Sequence, residues 1–425
     1  MKARKWALGL LAATMACGSS PGLADIVYRF GQAPLFDGRY GPVAVVQTRI
    51  NEELAGCGKP ATITVDGVFG PGTRNALRAL ATCPGYVPKL ANDADARAGS
   101  LTTTYWDALI GGERPSVDQR ARTLMLTYEN TDYTRMEWNF CQSSPLYNPS
   151  AGRNVCFSND PRSYLTWGPN GATGGGGREV QLVLAMVDRT SPMLIDQAFG
   201  IEASAIRRTF QLRDRDAQRS LETYLCGVWA DASRREAWRQ GFNALGRAPD
   251  VRAAYDNLYR SSSLDGGKIA TFIQAYSDNG LTPTEADYGF FKDRSAHTSP
   301  SLGPIRTAIS QALAADRSAP RWRIRQAIAL NVRPGSQRAD RLGRDVAFYI
   351  DGAGDRLSQE ELSAWQQRGR LRASDAGLAD TRPFTDFSAG PALETGIAQP
   401  ENLTDAERRA CPQAVLDTRR PEGRP

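Results

Sequence analysis

Apolar side chains recur at helical spacing over most of the chain, from Leu101 to about residue 370. This spacing buries one face of a helix, whereas a strand needs apolar residues at every second position. The pattern is interrupted over residues 157–177, which are rich in Gly, Asn, Pro and aromatic residues, and residues 164–167 within them have the composition of a short strand. The sequence therefore predicts a mainly α fold with one small β-hairpin near the start of a large helical domain. Helices are predicted near residues 117–129, 178–188, 193–210, 215–226, 232–245, 249–260, 267–277, 303–315 and 320–330.

A smaller helical unit is predicted ahead of this domain, over residues 38–85. Its first helix carries apolar residues at helical spacing, namely Val43, Val46, Ile50 and Leu54. Thr73 is expected to cap a second helix. Between the two helices, turn-forming Asp, Gly and Pro residues surround Phe69, whose ring is expected to fill the space between the helices.

The turn between these helices resembles the hallmark of the small peptidoglycan-binding domain of bacterial wall hydrolases. The matching residues, at matching spacing, are Asp66, Gly67, Phe69, Gly70 and Thr73. The resemblance covers about 45 residues and implies a small three-helix domain that holds the protein on the cell wall. Residues 86–100 lack apolar periodicity and are predicted to be a linker.

Seven cysteines occur in the chain, and Cys17 lies within a predicted signal peptide. The remaining six are Cys57, Cys83, Cys141, Cys156, Cys226 and Cys411. In an oxidising compartment an even number predicts disulfides, although six cysteines allow 15 pairings. Proximity in sequence favours Cys57–Cys83 and Cys141–Cys156, which leaves Cys226 to pair with Cys411.

Residues 1–24 have the features of a secretory signal: early basic residues, an apolar run, and small residues before a cleavage site after Ala24. An alternative is a lipoprotein signal that ends before Cys17. No later segment approaches the roughly 20 apolar residues of a membrane span. We therefore expect a periplasmic or secreted protein without a membrane span.

Composition narrows the possible chemistry. Three basic residues lie in the predicted signal, so the formal charge of +6 becomes about +3 for the rest of the chain. The basic residues are scattered, which argues against nucleic acid as a partner. The single histidine, His297, is interpreted as a loop residue, and the lack of further histidines disfavours metal sites and Ser/His or Cys/His catalysis. No metal or other cofactor is expected.

Glu129 is the first candidate for catalysis. The apolar face of the helix that begins at Val117 runs up to Tyr128, and turn-forming residues follow at 130–133. Glu129 would therefore emerge where the helix gives way to a loop, among aromatic residues. Burial raises the pKa of a carboxyl group, as a general acid requires. The alternative is a solvated glutamate at a helix end.

Residues 160–168 and 174–180 resemble the hairpin and following helix of the lysozyme and chitosanase superfamily. The resemblance implies that Glu129 is the general acid, Asp160 the base, Thr166 the residue that positions water, and Glu179 a further carboxylate in the cleft. The sequence departs from the family because Asp160 lies 31 positions after Glu129 and because Leu165 interrupts the usual Tyr-Thr pair. Asp132 and Glu137 are therefore alternative bases, and a base from elsewhere in the chain is a further alternative. The candidates for stacking on sugar rings, or alternatively for the hairpin core, are Tyr133, Trp138, Tyr164 and Trp167.

Together these features predict an exported glycoside hydrolase that binds peptidoglycan and cleaves wall glycan, as lysozymes do. The catalytic domain is expected over residues 101–375, followed by an irregular tail over 376–425. The alternatives are a chitosanase or another glycosidase with the same machinery, and a non-catalytic scaffold that binds the wall.

Overall fold

The computed structural model describes residues 25–60, 63–138, 146–148, 153–155, 165–174, 179–209, 224–225, 227–229, 231–332 and 338–393. It is mainly helical with a few small antiparallel strand pairs, which confirms the predicted fold class at that level. Several predictions fall outside the described residues: the signal peptide over 1–24, Asp160, Tyr164, and the four cysteines at 141, 156, 226 and 411.

The first part of the chain forms a small unit of short helices and strand pairs. Its helices are α1 (Pro42–Gly56), α2 (Pro71–Leu80), α3 (Ala94–Arg97) and α4 (Thr103–Leu109). Its strands are β1 (Ile26–Tyr28), β2 (Leu35–Phe36), β3 (Val68–Phe69) and β4 (Leu101–Thr102), with β1 paired to β4 and β2 paired to β3. Phe69 is completely buried between α1 and α2, as the sequence predicts.

Gln47, buried on α1, organises the turn that resembles the peptidoglycan-binding hallmark. Its side-chain oxygen accepts hydrogen bonds from the backbone N–H groups of Asp66 (3.0 Å) and Gly67 (2.9 Å), and its amide nitrogen donates to Asp66 Oδ1 (2.8 Å). Gly67 has a φ of 75°, and a Cβ there would lie 2.1 Å from a backbone oxygen. The prediction that Thr73 caps α2 was wrong, because Gly70 occupies the cap and Thr73 lies inside the helix.

The predicted Cys57–Cys83 disulfide is present and joins the end of α1 to the residues after α2. In contrast, residues 86–100 are not an extended linker. They include α3, which Asp93 caps, and the side chains of Leu90 and Ala96 are fully buried. The segment is therefore packed structure, and its lack of helical periodicity reflects tight turns.

Side-chain hydrogen bonds join the first unit to helix α5 (Val117–Glu129). Thr123 Oγ1 donates to Asp37 Oδ1 (2.5 Å), and Thr127 Oγ1 accepts from the backbone N–H of Phe36 (2.8 Å). The hydrophobic core is also continuous from this unit through α5 to the last helices of the chain. The first unit is therefore fixed against the rest of the protein.

The large helical part contains two hydrophobic cores. The first, shared with the N-terminal unit, includes α11 (Asp265–Asp278), α12 (Glu285–Ser295), α13 (Leu302–Ala315), α14 (Arg321–Asn331), α15 (Arg338–Val346), α16 (Ile350–Ala353) and α17 (Gln359–Gln367). The second includes α6 (Glu179–Thr190), α7 (Pro192–Phe199), α8 (Ala203–Thr209), α9 (Ala232–Arg247) and α10 (Pro249–Arg260). The predicted helix over 193–210 is broken at Gly200, whose φ is 52°.

A three-stranded antiparallel sheet packs on the second core. It consists of β5 (Met136–Trp138), β8 (Leu165–Trp167) and β9 (Ala172–Gly174), in that order, and a separate pair is formed by β6 (Leu146–Asn148) and β7 (Arg153–Val155). The predicted hairpin strand corresponds to β8. This sheet lies beside the C-terminal end of α5 and carries residues of the candidate site.

The described part of the tail, up to residue 393, is irregular but packed. Leu378 is buried, and the ring of Phe384 lies 4.3 Å from that of Tyr288. Among the helices of the described chain, none has the length and apolar character needed to cross a membrane.

Removing the disulfide should destabilise the protein. Alanine at both Cys57 and Cys83 releases a loop with a sequence separation of 26, and we expect the free energy of unfolding to fall by roughly 2–4 kcal/mol. Urea denaturation followed by circular dichroism would measure this loss. An unchanged unfolding midpoint would show that the disulfide contributes nothing to stability.

Candidate active site

Helix α5 places Glu129 in the wall of a surface cavity. Ser116 and Gln119 form a capping box that begins the helix, and Asn130, with a left-handed φ of 47°, ends it. Glu129 is therefore the last helical residue, at the start of a loop, as the sequence predicts.

The sheet supplies another part of the wall of this cavity. Glu137, Thr166 and Thr173 are directly paired across β5, β8 and β9, so their side chains share one face of the sheet. The neighbouring residues in each strand face the core and are buried. The alternation of the strands thus directs Glu137 and Thr166 toward the open side.

Glu129, Glu137 and Thr166 line one cavity of about 300 Å³. His297, which follows α12, and Arg135 line it too. The structure therefore brings together two of the predicted catalytic residues, Glu129 and Thr166. It adds Glu137, one of the two alternative bases, as a second carboxylate.

Two basic side chains bind the carboxylate of Glu129. Arg344 forms an ion pair with Oε1, and His297 Nε2 lies 3.1 Å from the same oxygen. Burial alone would raise the pKa of Glu129, but the hydrogen bonds and charges of His297 and Arg344 outweigh burial and lower it to about 2. The expectation of a raised pKa was wrong, because the sequence gives no sign of these distant partners.

Arg344 is held in turn by a buried network of charges. Asp293, which is fully buried on α12, accepts hydrogen bonds from Arg344 and from Arg341. Arg341 also donates to Asp345 Oδ1 at 2.9 Å, and the Arg344 guanidinium lies 4.7 Å from the centre of the Tyr128 ring. Burial works against ionisation of Asp293, yet the two arginines keep its pKa well below the usual value.

The two alternative bases have different surroundings. Glu137 is half exposed and forms an ion pair with Arg135, whose Nε donates to Oε1 at 2.8 Å. Asp132 is buried, and its carboxylate accepts hydrogen bonds from Thr134 and from the backbone N–H of Arg39 (3.0 Å). Asp132 lines neighbouring cavities but not the one that contains Glu129. It organises the loop, and Glu137 is the better candidate for chemistry.

The predicted stacking role of two tryptophans was wrong. Trp138 and Trp167 are 2% and 1% exposed, because both belong to the second core. The Trp138 ring packs 5.8 Å from Trp238, and the Trp167 ring 5.0 Å from Phe242. Neither ring has a face available to a sugar, so the alternative of a hairpin core holds for both.

Tyr133 and Glu179 also lie away from this cavity. The Tyr133 hydroxyl donates to Asp256 Oδ1 at 2.5 Å and contacts Arg122, in a separate cavity. Glu179 begins α6, where its Oε2 accepts from the backbone N–H of Thr173 at 3.1 Å. These contacts stabilise the sheet and its surroundings, and neither side chain lines the walls around Glu129.

The buried network should respond strongly to loss of its carboxylate. Asp293→Ala removes the buried carboxylate that Arg341 and Arg344 share, which should lower the free energy of unfolding by roughly 3–5 kcal/mol. The matched control is Asp340→Ala on α15, the helix that carries the two arginines. Asp340 pairs with Arg368 at the surface, and loss of this ion pair should cost less than about 1 kcal/mol. Equal losses for the two variants, measured by urea denaturation, would contradict this role for Asp293.

The lowered pKa of Glu129 predicts how stability depends on pH. An unfolded glutamate titrates near 4.5, so the ionised group contributes stability that is fully present above that pH and is lost as the pH falls through about 2. Relative to Glu129→Gln, the wild type should lose about 3 kcal/mol of unfolding free energy between pH 5 and pH 2. Parallel stability curves for the two proteins would show that Glu129 is not held as a carboxylate.

Comparison of the chain with known protein families, with curated proteins and with solved structures finds no match.

Proposed function

We propose that the protein hydrolyses glycosidic bonds of the bacterial cell-wall glycan. The observation that carries the proposal is the single cavity that Glu129, Glu137 and Thr166 line together. Two carboxylates in one cleft are the minimum machinery for hydrolysis of a glycoside without a cofactor. The resemblance of residues 160–168 and 174–180 to the lysozyme and chitosanase superfamily supports the same assignment.

Glu129 and Glu137 divide the two tasks of the reaction in this proposal. Glu129 protonates the oxygen of the leaving sugar, Glu137 activates water, and the Thr166 hydroxyl, paired across the sheet with Glu137, holds that water. Asp160, the base that the resemblance implies, lies outside the described residues, so Glu137 is the base that the described geometry supports.

The resting state of Glu129 imposes a condition on this mechanism. With a pKa of about 2 it is ionised in the free cleft, so it must take up a proton when substrate binds. A sugar that fills the cavity excludes water, which favours the neutral carboxyl group. His297 Nε2 lies 3.1 Å from Glu129 Oε1, within hydrogen-bond range of the carboxylate.

The function predicts contrasting defects in two variants. On purified wall glycan, Glu129→Gln and Glu137→Gln should each reduce the release of reducing ends by about 10²–10⁴-fold, the usual contribution of general acid or base catalysis. A wall-derived glycoside with an aryl leaving group needs no protonation, so it should restore much of the activity of Glu129→Gln and little of that of Glu137→Gln.

The control for these variants is Glu52→Gln, which changes an exposed glutamate on α1 and should leave the rate unchanged. A Glu129→Gln protein that clears walls at the wild-type rate would refute the proposal. If reducing ends come from chitosan and not from wall glycan, the enzyme is a chitosanase. If neither polymer is cut, the scaffold alternative holds.

A further inference from the structure

The turn between β8 and β9 forms part of the wall of the cavity that contains Glu129. It consists of residues 168–171, and all four line the cavity. Ala296 and His297, which follow α12, line it too. The turn extends from the sheet on the second core, whereas α12 belongs to the first core. The cavity therefore lies where the two cores meet, and its shape depends on contacts between them.

Tyr255, which is fully buried on α10, holds this turn from behind. Its hydroxyl donates to the backbone oxygen of Trp167 (3.0 Å) and accepts from the backbone N–H groups of Asn170 (3.1 Å) and Ala172 (3.3 Å). A hydroxyl group has one donor and two acceptor sites, so these three bonds use its full capacity. Gly168 has a φ of 78°, and a Cβ there would lie 2.6 Å from the Tyr255 ring. The backbone of the turn is therefore fixed directly on this side chain.

The side chain of Asn170, within the turn, is oriented by a buried carboxylate. Its Nδ2 donates to Asp265 Oδ2 at 2.8 Å. Asp265 is buried at the start of α11, and its other oxygen, Oδ1, forms an ion pair with Lys268 Nζ at 2.9 Å. An ionised carboxylate can only accept hydrogen bonds, so the nitrogen of the Asn170 amide must be the atom that faces Asp265. This contact therefore fixes which way the amide of Asn170 points.

The same contacts continue to the other core. Lys268 Nζ also donates to the backbone oxygen of Ser295 at 2.7 Å. Ser295 is the last residue of α12 and lies two positions before His297, in the wall of the cavity. A chain of hydrogen bonds thus runs from Asn170 through Asp265 and Lys268 to the segment that carries His297. These bonds join the two parts of the wall and fix the turn relative to His297.

The amide oxygen of Asn170 remains available to a ligand. Asn170 is half-buried in the cavity wall, and within the described residues its Oδ1 accepts no hydrogen bond. The carboxylates of Glu129 and Glu137, in contrast, are already engaged by basic side chains. A sugar ring carries hydroxyl groups that need acceptors once water has left the cavity. The Asn170 oxygen is a neutral acceptor of the kind that a hydroxyl group requires.

We propose that Asn170 accepts a hydrogen bond from a sugar hydroxyl group of the substrate through Oδ1, and that Asp265 is the positioning residue that orients its amide. This inference rests on the proposed function and adds a specificity-determining contact to the same site. Asp265 does not line the cavity, so it acts on the substrate through Asn170. An acceptor that is already oriented loses little entropy when the ligand binds.

Calorimetric titration in a Glu129→Gln background measures this contact without turnover. The ligands are a soluble tetrasaccharide of the wall glycan and the glucosamine tetrasaccharide of chitosan, because both carry sugar hydroxyl groups. Asn170→Ala should weaken the tighter of the two ligands about three- to tenfold, as expected for loss of one hydrogen bond between neutral groups. Asp265→Ala should also weaken it. The double variant should bind no more weakly than Asn170→Ala alone, because Asp265 acts through that side chain.

The matched control is Asp278→Ala at the other end of α11, which removes an ion pair with Arg306 away from the cavity and should leave both affinities unchanged. The proposal is overturned if neither ligand binds, if Asn170→Ala binds as tightly as its parent, or if the losses from the Asn170 and Asp265 variants add. Full hydrolytic activity of Glu129→Gln would instead overturn the proposed function and leave the binding contrast intact.

Discussion

The position of Glu129 depends on the fully buried carboxylate of Asp293. Two arginines of α15 bind this fully buried group, and one of them, Arg344, extends to Glu129. A buried charge is tolerated only when its partners are complete, so α12, α15 and the end of α5 must adopt one relative arrangement. The geometry of the cavity is therefore set by helices far from Glu129 in sequence.

Contacts that are weaker than this buried charge network fix the N-terminal unit against the helical part of the protein. A separate module on a flexible linker would increase the local concentration of substrate without shaping the site. Here residues 86–100 are packed, one core runs from the unit into the late helices, and Asp37 and Phe36 bind α5 through side-chain hydrogen bonds. The unit that resembles a binding domain thus forms part of the wall of a cavity of about 890 Å³ beside the loop that follows α5.

Local features of the fold could be predicted from the sequence, and features that depend on long-range burial could not. Helix α5 was predicted at both ends because its amphipathic spacing and its end signals agree. Helix α12 was missed because it is buried on nearly every side and so shows no apolar stripe. Helix α15 was missed for the opposite reason: its sequence is rich in charge, although Arg341, Arg344 and Asp345 are buried.

In the candidate site, too, local features could be predicted from the sequence and long-range features could not. Glu129 and Thr166 could be located because a helix end and a short strand are local patterns. Glu137 was named only as an alternative base, because β5 was not predicted from the sequence. The protonation state of Glu129 could not be predicted, since it depends on Arg344, 215 residues away in sequence. Burial and ion pairing act on its pKa in opposite directions, and in the free cleft pairing wins. In the proposed mechanism, substrate reverses that balance by removing water or by separating the carboxylate from its cations, so binding and protonation are coupled.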